Sequence, residues 1–310
     1  MSPVVINLAL QGGGAHGAYT WGVLERLLDE PHIFYEGISG TSAGAMNAVM
    51  FAEGWRKGGP DGAKAQLQAF WDKVAAQKVS MFTLPESLNN SMTQWLLTTS
   101  HFVSPYDISH RDLNPLRHIV SDLVDFEALR AHKPFKLHIA ATEVKSGKLK
   151  LFKSHELEVD HVLASACLPN IHHAVEIDGE YFWDGGFSGN PAIFPLVYEC
   201  DADDVLIVLL QPLERNELPK SASEISDRMS DLGFQSAFMR EMAALARFKV
   251  LAKTRIKPRW LQSKFDQRIN SLRTHLMAND DYLGALDRSS KYNNQKQFLY
   301  SLRDAGYQSA

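Results

Sequence analysis

Apolar positions along the first sixty residues alternate between two spacings. Val4 to Leu10 is a nearly continuous apolar run, as expected of a strand buried on both faces. After Gly12-Gly13-Gly14, the spacing of Tyr19, Val23, Leu24, Leu27 and Leu28 predicts a helix over 15–28, stopped by Pro31. Ile33 to Ile38 reads as a second strand and Ser42 to Trp55 as a second helix. Strand, glycine turn, helix, repeated twice, predicts an α/β fold on a parallel sheet. Further helices are expected over 63–77, 113–129 and 159–168, the last ended by Pro169. Phe135–Glu143 and Lys148–Phe152 flank Ser146-Gly147 as a hairpin. Tyr181–Trp183 runs into Asp184-Gly185-Gly186, and Asp204–Leu210 is the last strand read. Beyond Pro212 the pattern reads as helical and more polar. With no repeat or low-complexity linker, one domain over 1–310 is expected, with a catalytic core over about 4–210 and a helical extension over about 213–310.

Composition narrows the picture slightly. The 310 residues are 45% apolar and 22% charged, enough for a large core. A net charge of −4 argues against phosphate-driven nucleic-acid binding, though not against a local basic patch. Cys167 and Cys200 make neither a disulfide framework nor a metal spacing, which points to a reducing compartment. MSPVVINLAL lacks the features of a signal peptide, and no apolar run approaches the roughly 18 residues of a spanning helix. The expectation is a cytoplasmic protein, peripheral contact with membranes and secretion without a Sec-type signal both staying open.

Two glycine loops carry the candidate chemistry. Gly40-Thr41-Ser42-Ala43-Gly44 has the form of a nucleophile elbow, in which a serine stands on a sharp strand-to-helix turn above the next helix N-terminus. Alone, the pattern is equally a serine-capped turn. Gly12, Gly14 and Gly17 satisfy the dinucleotide fingerprint, and Glu36 follows near the distance of a ribose-binding acid, so a nucleotide-binding oxidoreductase or regulatory module is the alternative. The N–H groups of Gly12, Gly13 and Gly14 equally form an anion nest suited to an oxyanion. The elbow on the neighbouring strand favours the latter, since adjacent parallel strands deliver both loops to one carboxyl edge. A serine needs a base. Of twelve histidines only His275 follows Asp184, in a polar stretch read as helix and solvent-exposed. Asp184 leaves an apolar strand at a sharp turn, where Phe182, Trp183 and Phe187 can desolvate it and raise its pKa.

Together these residues resemble the patatin-like phospholipases, in their small bacterial form. The resemblance lies in Gly12-Gly13-Gly14-Ala15-His16-Gly17, in the elbow with Gly40 and Gly44, and in Asp184-Gly185-Gly186. It extends to Ala164–Pro169, Phe187–Pro191 and, more loosely, Ser289–Gly306. It implies a three-layer α/β/α fold with a mostly parallel central sheet, a Ser42–Asp184 dyad without histidine, and hydrolysis of phospholipid or other acyl-lipid esters through an acyl-enzyme. It implies no metal and no cofactor. The departure is His16, where many members carry Arg or Lys; any charge at the oxyanion then depends on its protonation. Two segments are candidates for lipid contact. Val79–Pro105, with Trp95-Leu96-Leu97, reads as a lid or a core helix, and Arg247–Trp260 as an anionic-membrane contact or a solvated basic face.

Overall fold

The computed structural model describes residues 3–77, 104–108, 114–214, 218–254 and 263–310. Eight strands form one sheet: β1 (Val4–Leu10), β2 (Ile33–Thr41), β3 (Lys136–Glu143), β4 (Leu149–Lys153), β5 (Val175–Ile177), β6 (Glu180–Asp184), β7 (Asp204–Val208) and β8 (Arg273–Met277). Their order is β5-β6-β3-β2-β1-β7-β8, with β4 also on β3. From β3 through β8 the neighbours run parallel, whereas β4, β5 and β6 pair antiparallel. The sheet is mixed, its parallel part carrying both glycine loops.

Helices α1 (Gly17–Leu28), α2 (Ala43–Ala76), α3 (Pro105–Ile108), α4 (Pro115–Leu123), α5 (Phe126–His132), α6 (Val159–Ser165), α7 (Phe194–Glu199), α8 (Ala222–Thr254), α9 (Lys264–Ser271), α10 (Asp280–Gly284) and α11 (Lys296–Ser309) complete the described fold. The pleat sorts β1 between two cores. Leu8 and Leu10 pack into the core shared with α1, α2 and α11. Ala9 turns to the other face, where Leu196, Phe238, Leu245 and Ile269 from α7, α8 and α9 cover Val205 and Ile207. Alternate burial of one strand against two helical layers makes the three-layer architecture.

Several expected boundaries move. The helices read over 42–55 and 63–77 are both present, as the two halves of α2, separated where Gly58 and Gly59 leave helical backbone just before Pro60. The helix read over 113–129 splits at Val124, because Asp125 accepts from the N–H of Ala128 and caps a new helix. The larger correction is β8. The tail is helical apart from this strand, which pairs in parallel with β7, so the sheet does not end at residue 210. Its residues Arg-Thr-His-Leu-Met leave most side chains at the solvent edge, and an edge strand needs no apolar alternation. The final helix is bound closely to the first. A Cβ at Gly22 would meet the carbonyl oxygen of Arg303 at 1.8 Å, and one at Gly306 that of Tyr19 at 2.0 Å, so glycines on both helices let the backbones touch. Residues 79–103 of the proposed lid and residues 255–260 of the basic stretch lie outside the described residues.

Candidate active site

Ser42 stands between β2 and α2 with φ 54° and ψ −121°, a left-handed backbone unusual for a residue with a side chain. Its flanking glycines permit the turn: a Cβ at Gly44 would lie 2.1 Å from the carbonyl oxygen of Leu10, and one at Gly40 2.6 Å from that of Gly44. The N–H of Ser42 donates to Ser165 Oγ at 3.0 Å, which fixes the elbow from the end of α6.

Asp184 reaches Ser42 through the register of β3. Strand β4 occupies one edge of β3, so β2 and β6 share the other. Strand β2 ends with Thr41 opposite Ala140, and β6 ends with Asp184 opposite Ala141. The next residue after Thr41 is Ser42, so the two strand ends meet at one point. Gly185 allows the chain to leave there, since a Cβ would sit 2.2 Å from the carbonyl oxygen of Ala140.

The Asp184 carboxyl is 1% exposed. Oδ1 accepts from the N–H of Gly186 at 2.7 Å, whereas Oδ2 is buried and has no hydrogen-bond partner within 3.5 Å among the described residues. Burial raises its pKa to about 7, against the smaller opposing effects of the Gly186 N–H and the Ser42 hydroxyl. At neutral pH the group is therefore divided between acid and base.

The loop from Gly12 to Gly14 lies beside the elbow. A Cβ at Gly12 would meet Ser42 Cβ at 2.7 Å. The three N–H groups are not equivalent. That of Gly12 donates to Asn190 Oδ1 at 2.7 Å, while those of Gly13 and Gly14 find no acceptor among the described residues. Gly14 is left-handed at φ +59°, and the carbonyl oxygen of Lys291 occupies the space of its absent side chain, 2.4 Å from the Cβ position.

His16 does not bring charge to this loop. Its side chain is buried, with Nε2 against Ser290 Oγ at 2.7 Å and Nδ1 unpartnered among the described residues. Burial first, and then the charge of Lys291, lower its pKa to about 4. The charge at the Gly12–Gly14 loop is thus not altered by His16 over the range where Asp184 titrates. His138, buried on β3, is likewise lowered to about 4 by burial. Both histidines fold neutral, so the unfolded chain takes up their protons first, from about pH 6.5 downward. Stability should fall between pH 6.5 and 4, by up to about 3 kcal/mol for each histidine. Urea titrations of wild type and His138→Gln across that range test this; parallel curves reject it.

Gly17 completes the first loop, where a Cβ would collide with Ala43 Cβ at 2.6 Å. Gly186 underlies α8, a Cβ there falling 2.2 Å from the Phe234 ring. The residues missing from the sequence reading are Ser165, Asn190 and the turn 288–292. Ser165 and Asn190 lie in segments read only as resemblances, with no signal for their hydrogen bonds. Ser290 and Lys291 reach the site from the tail. Arg288 and Lys291 are anchored to Asp227 and Asp231 on α8, at 3.0 and 3.5 Å.

His275 and Glu36 lie elsewhere. His275 is on edge strand β8, exposed, with Nε2 2.8 Å from Asp204 Oδ1. Glu36 is five residues before Thr41, about 17 Å down β2 from the glycine edge at roughly 3.3 Å per residue. It is tied to Lys136 and to the N–H groups of Asp201 and Ala202. Glu36 is therefore not placed to meet the ribose of a nucleotide on the Gly12 loop.

Among known structures, VipD from Legionella pneumophila is 15% identical, with 98% of this chain and 67% of that chain covered and a TM-score of 0.43. ExoU of the Pseudomonas aeruginosa type III secretion system, in complex with SpcU, is 16% identical, with coverages of 97% and 53% and a TM-score of 0.34. The chain thus spans about two thirds of one relative and about half of the other. No curated protein matches. A family model described as patatin-like phospholipase matches residues 8–197, the stretch that holds Ser42, Asp184 and most of the glycine loops' supporting strands. The chain belongs to the patatin-like phospholipase family.

Proposed function

We propose that the protein hydrolyses fatty-acyl esters of phospholipids or related lipids through an acyl-enzyme on Ser42. The observation that carries this is Asp184 Oδ2: buried, without a hydrogen-bond partner among the described residues, on the strand end that meets the elbow. Ser42 Oγ attacks the ester carbonyl carbon while its proton passes to Asp184 Oδ2, and the carbonyl electrons move onto oxygen. The N–H groups of Gly13 and Gly14 receive that oxyanion. Gly12 serves differently from the other two, its N–H being engaged by Asn190, and holds the loop against the elbow. Collapse breaks the ester C–O bond, and Asp184 returns the proton to the departing alcohol. Water repeats the sequence on the acyl-enzyme, giving the fatty acid and free Ser42. The cycle uses no metal or cofactor.

An elevated Asp184 pKa makes one base ionisation govern the rate. Turnover on a soluble short-chain ester should rise through about pH 7 to a plateau. A fluorophosphonate probe should label Ser42 in the wild type, giving one mass increment that is absent from Ser42→Ala. Labelling elsewhere, or ester hydrolysis that survives Ser42→Ala, rejects the reading.

A further inference from the structure

Helix α8 bears two apolar faces, and only one is covered. Phe238, Leu245 and Ala252 are buried in the second core. On the solvent side Ile225, Met229, Leu232, Met239 and Val250 are exposed, from 43% for Ile225 to 68% for Met229. Ser236, Ala243 and Ala246 fill the positions between them and are also exposed. These eight positions follow one another at alternating intervals of four and three residues. On a helix of about 3.6 residues per turn this spacing draws a continuous strip, about 38 Å long, that winds slowly by about 20° every seven residues.

Along the second half of the strip the exposed charges are basic. Arg240, Arg247 and Lys253 are exposed along its second half. The acids of the same helix are otherwise engaged: Asp227 with Arg288, Asp231 with Lys291, and Glu241 with the N–H groups of Ile193 and Phe194. Glu224 is exposed, but in the first turn, where it accepts from the N–H groups of Lys220 and Ser221. A second copy packed parallel and in register on this strip would set Arg240 and Arg247 against their own counterparts. An anionic surface meets the same charges favourably.

The strip also adjoins the proposed site. Phe234, on the same helix, covers Gly186 and packs on Phe187 with ring centroids 4.7 Å apart. Phe187 is itself 41% exposed, next to the loop that holds Asp184.

We propose that the solvent face of α8 seats the protein on an anionic lipid bilayer, with Ile225, Met229, Leu232, Met239 and Val250 entering the interface and Arg240, Arg247 and Lys253 meeting anionic headgroups. The proposal rests on the lipid-hydrolase reading for the reason a bilayer is met, but its test does not depend on turnover. Full-length Ser42→Ala protein is sedimented with vesicles of phosphatidylcholine alone and of phosphatidylcholine mixed with phosphatidylglycerol, at low and high salt. Binding should favour the anionic vesicles by at least about tenfold and weaken with salt. Met229→Glu combined with Met239→Glu, and Arg240→Glu combined with Arg247→Glu, should each reduce it by about tenfold or more, with thermal melts unchanged because all four side chains lie in solvent. Equal affinity for both vesicle types, or full binding by both double variants, overturns the proposal. So does a dimer, seen by light scattering, that Met229→Glu with Met239→Glu dissolves, since a second copy then covers the strip. Failed sedimentation with normal probe labelling of the wild type leaves the catalytic reading standing; the reverse result leaves the docking surface standing.

Discussion

Asp184→Asn should abolish ester hydrolysis and, above pH 7, make the protein more stable. The first effect follows from the proton: an amide cannot take it from Ser42. A loss of about 10⁴-fold or more is expected for removal of the group proposed to activate the nucleophile. The second effect follows from burial. In the folded state the carboxyl titrates at about 7, against 3.8 for the free group. Between those values the folded protein holds a proton on Asp184 that the unfolded chain has lost. The contribution of this one group therefore declines as pH rises from about 4 to 7 and is flat above, opposite in sign to that of the two buried histidines. The full penalty is on the order of 4 kcal/mol, less whatever the amide N–H₂ costs beside Ser42. Chemical denaturation of both proteins at pH 5 and pH 8 supplies the check. The stability advantage of the asparagine variant should be larger at pH 8. Retained activity, or an advantage independent of pH, defeats the assignment.

Gly12→Ala should cost about 10²- to 10³-fold in kcat while leaving a folded protein, comparable to losing an oxyanion donor elsewhere. The added methyl has no room: it would stand 2.7 Å from Ser42 Cβ, 2.8 Å from the carbonyl oxygen of Thr41 and 3.2 Å from Asn190 Oδ1. Two of these belong to the elbow and the third to the side chain that anchors the loop. The loop must therefore lift from Ser42, carrying the Gly13 and Gly14 donors away from the reacting carbonyl. Substrate affinity should change far less, because the displaced groups act on charge that develops only in the transition state. Steady-state kinetics on a soluble ester separate the two parameters. An unchanged kcat removes the loop from the proposed mechanism; an equal change in KM alone assigns it to binding.

What could be read from sequence was local and backbone-driven. The Gly40–Gly44 elbow, the Gly12–Gly14 turn and the Asp184 turn each sit where an apolar strand ends, and each needs glycine to let the chain pass. Parallel pairing of β1 with β2 follows from the helix between them. The convergence of Asp184 on Ser42 does not, because it arises from β2 and β6 sharing one edge of β3, a register that no local pattern records. Asn190 and Ser165 were invisible as hydrogen-bond partners for a similar reason. Their side-chain oxygens accept across 178 and 123 residues of chain. Strand β8 lacked alternation because it lies at the sheet edge, and so the tail read as helix throughout. His16 was the opposite case: the residue was noticed, but its charge state depends on a burial and a lysine neighbour supplied by the tail.

The turn at 288–292 gives the molecule an order of assembly in time. His16 and Ser290 are separated by 274 positions yet lie 2.7 Å apart, and Lys291 seats itself on Gly14. During synthesis the first loop emerges well before the segment that packs against it, some 274 positions later. Ser42 and Asp184 can both have left the ribosome while the Gly12–Gly14 loop still lacks the segment that packs against it. Assembly of this loop is thus tied to synthesis of residues 288–292, and a chain interrupted before Ser289 carries Ser42 and Asp184 without that contact.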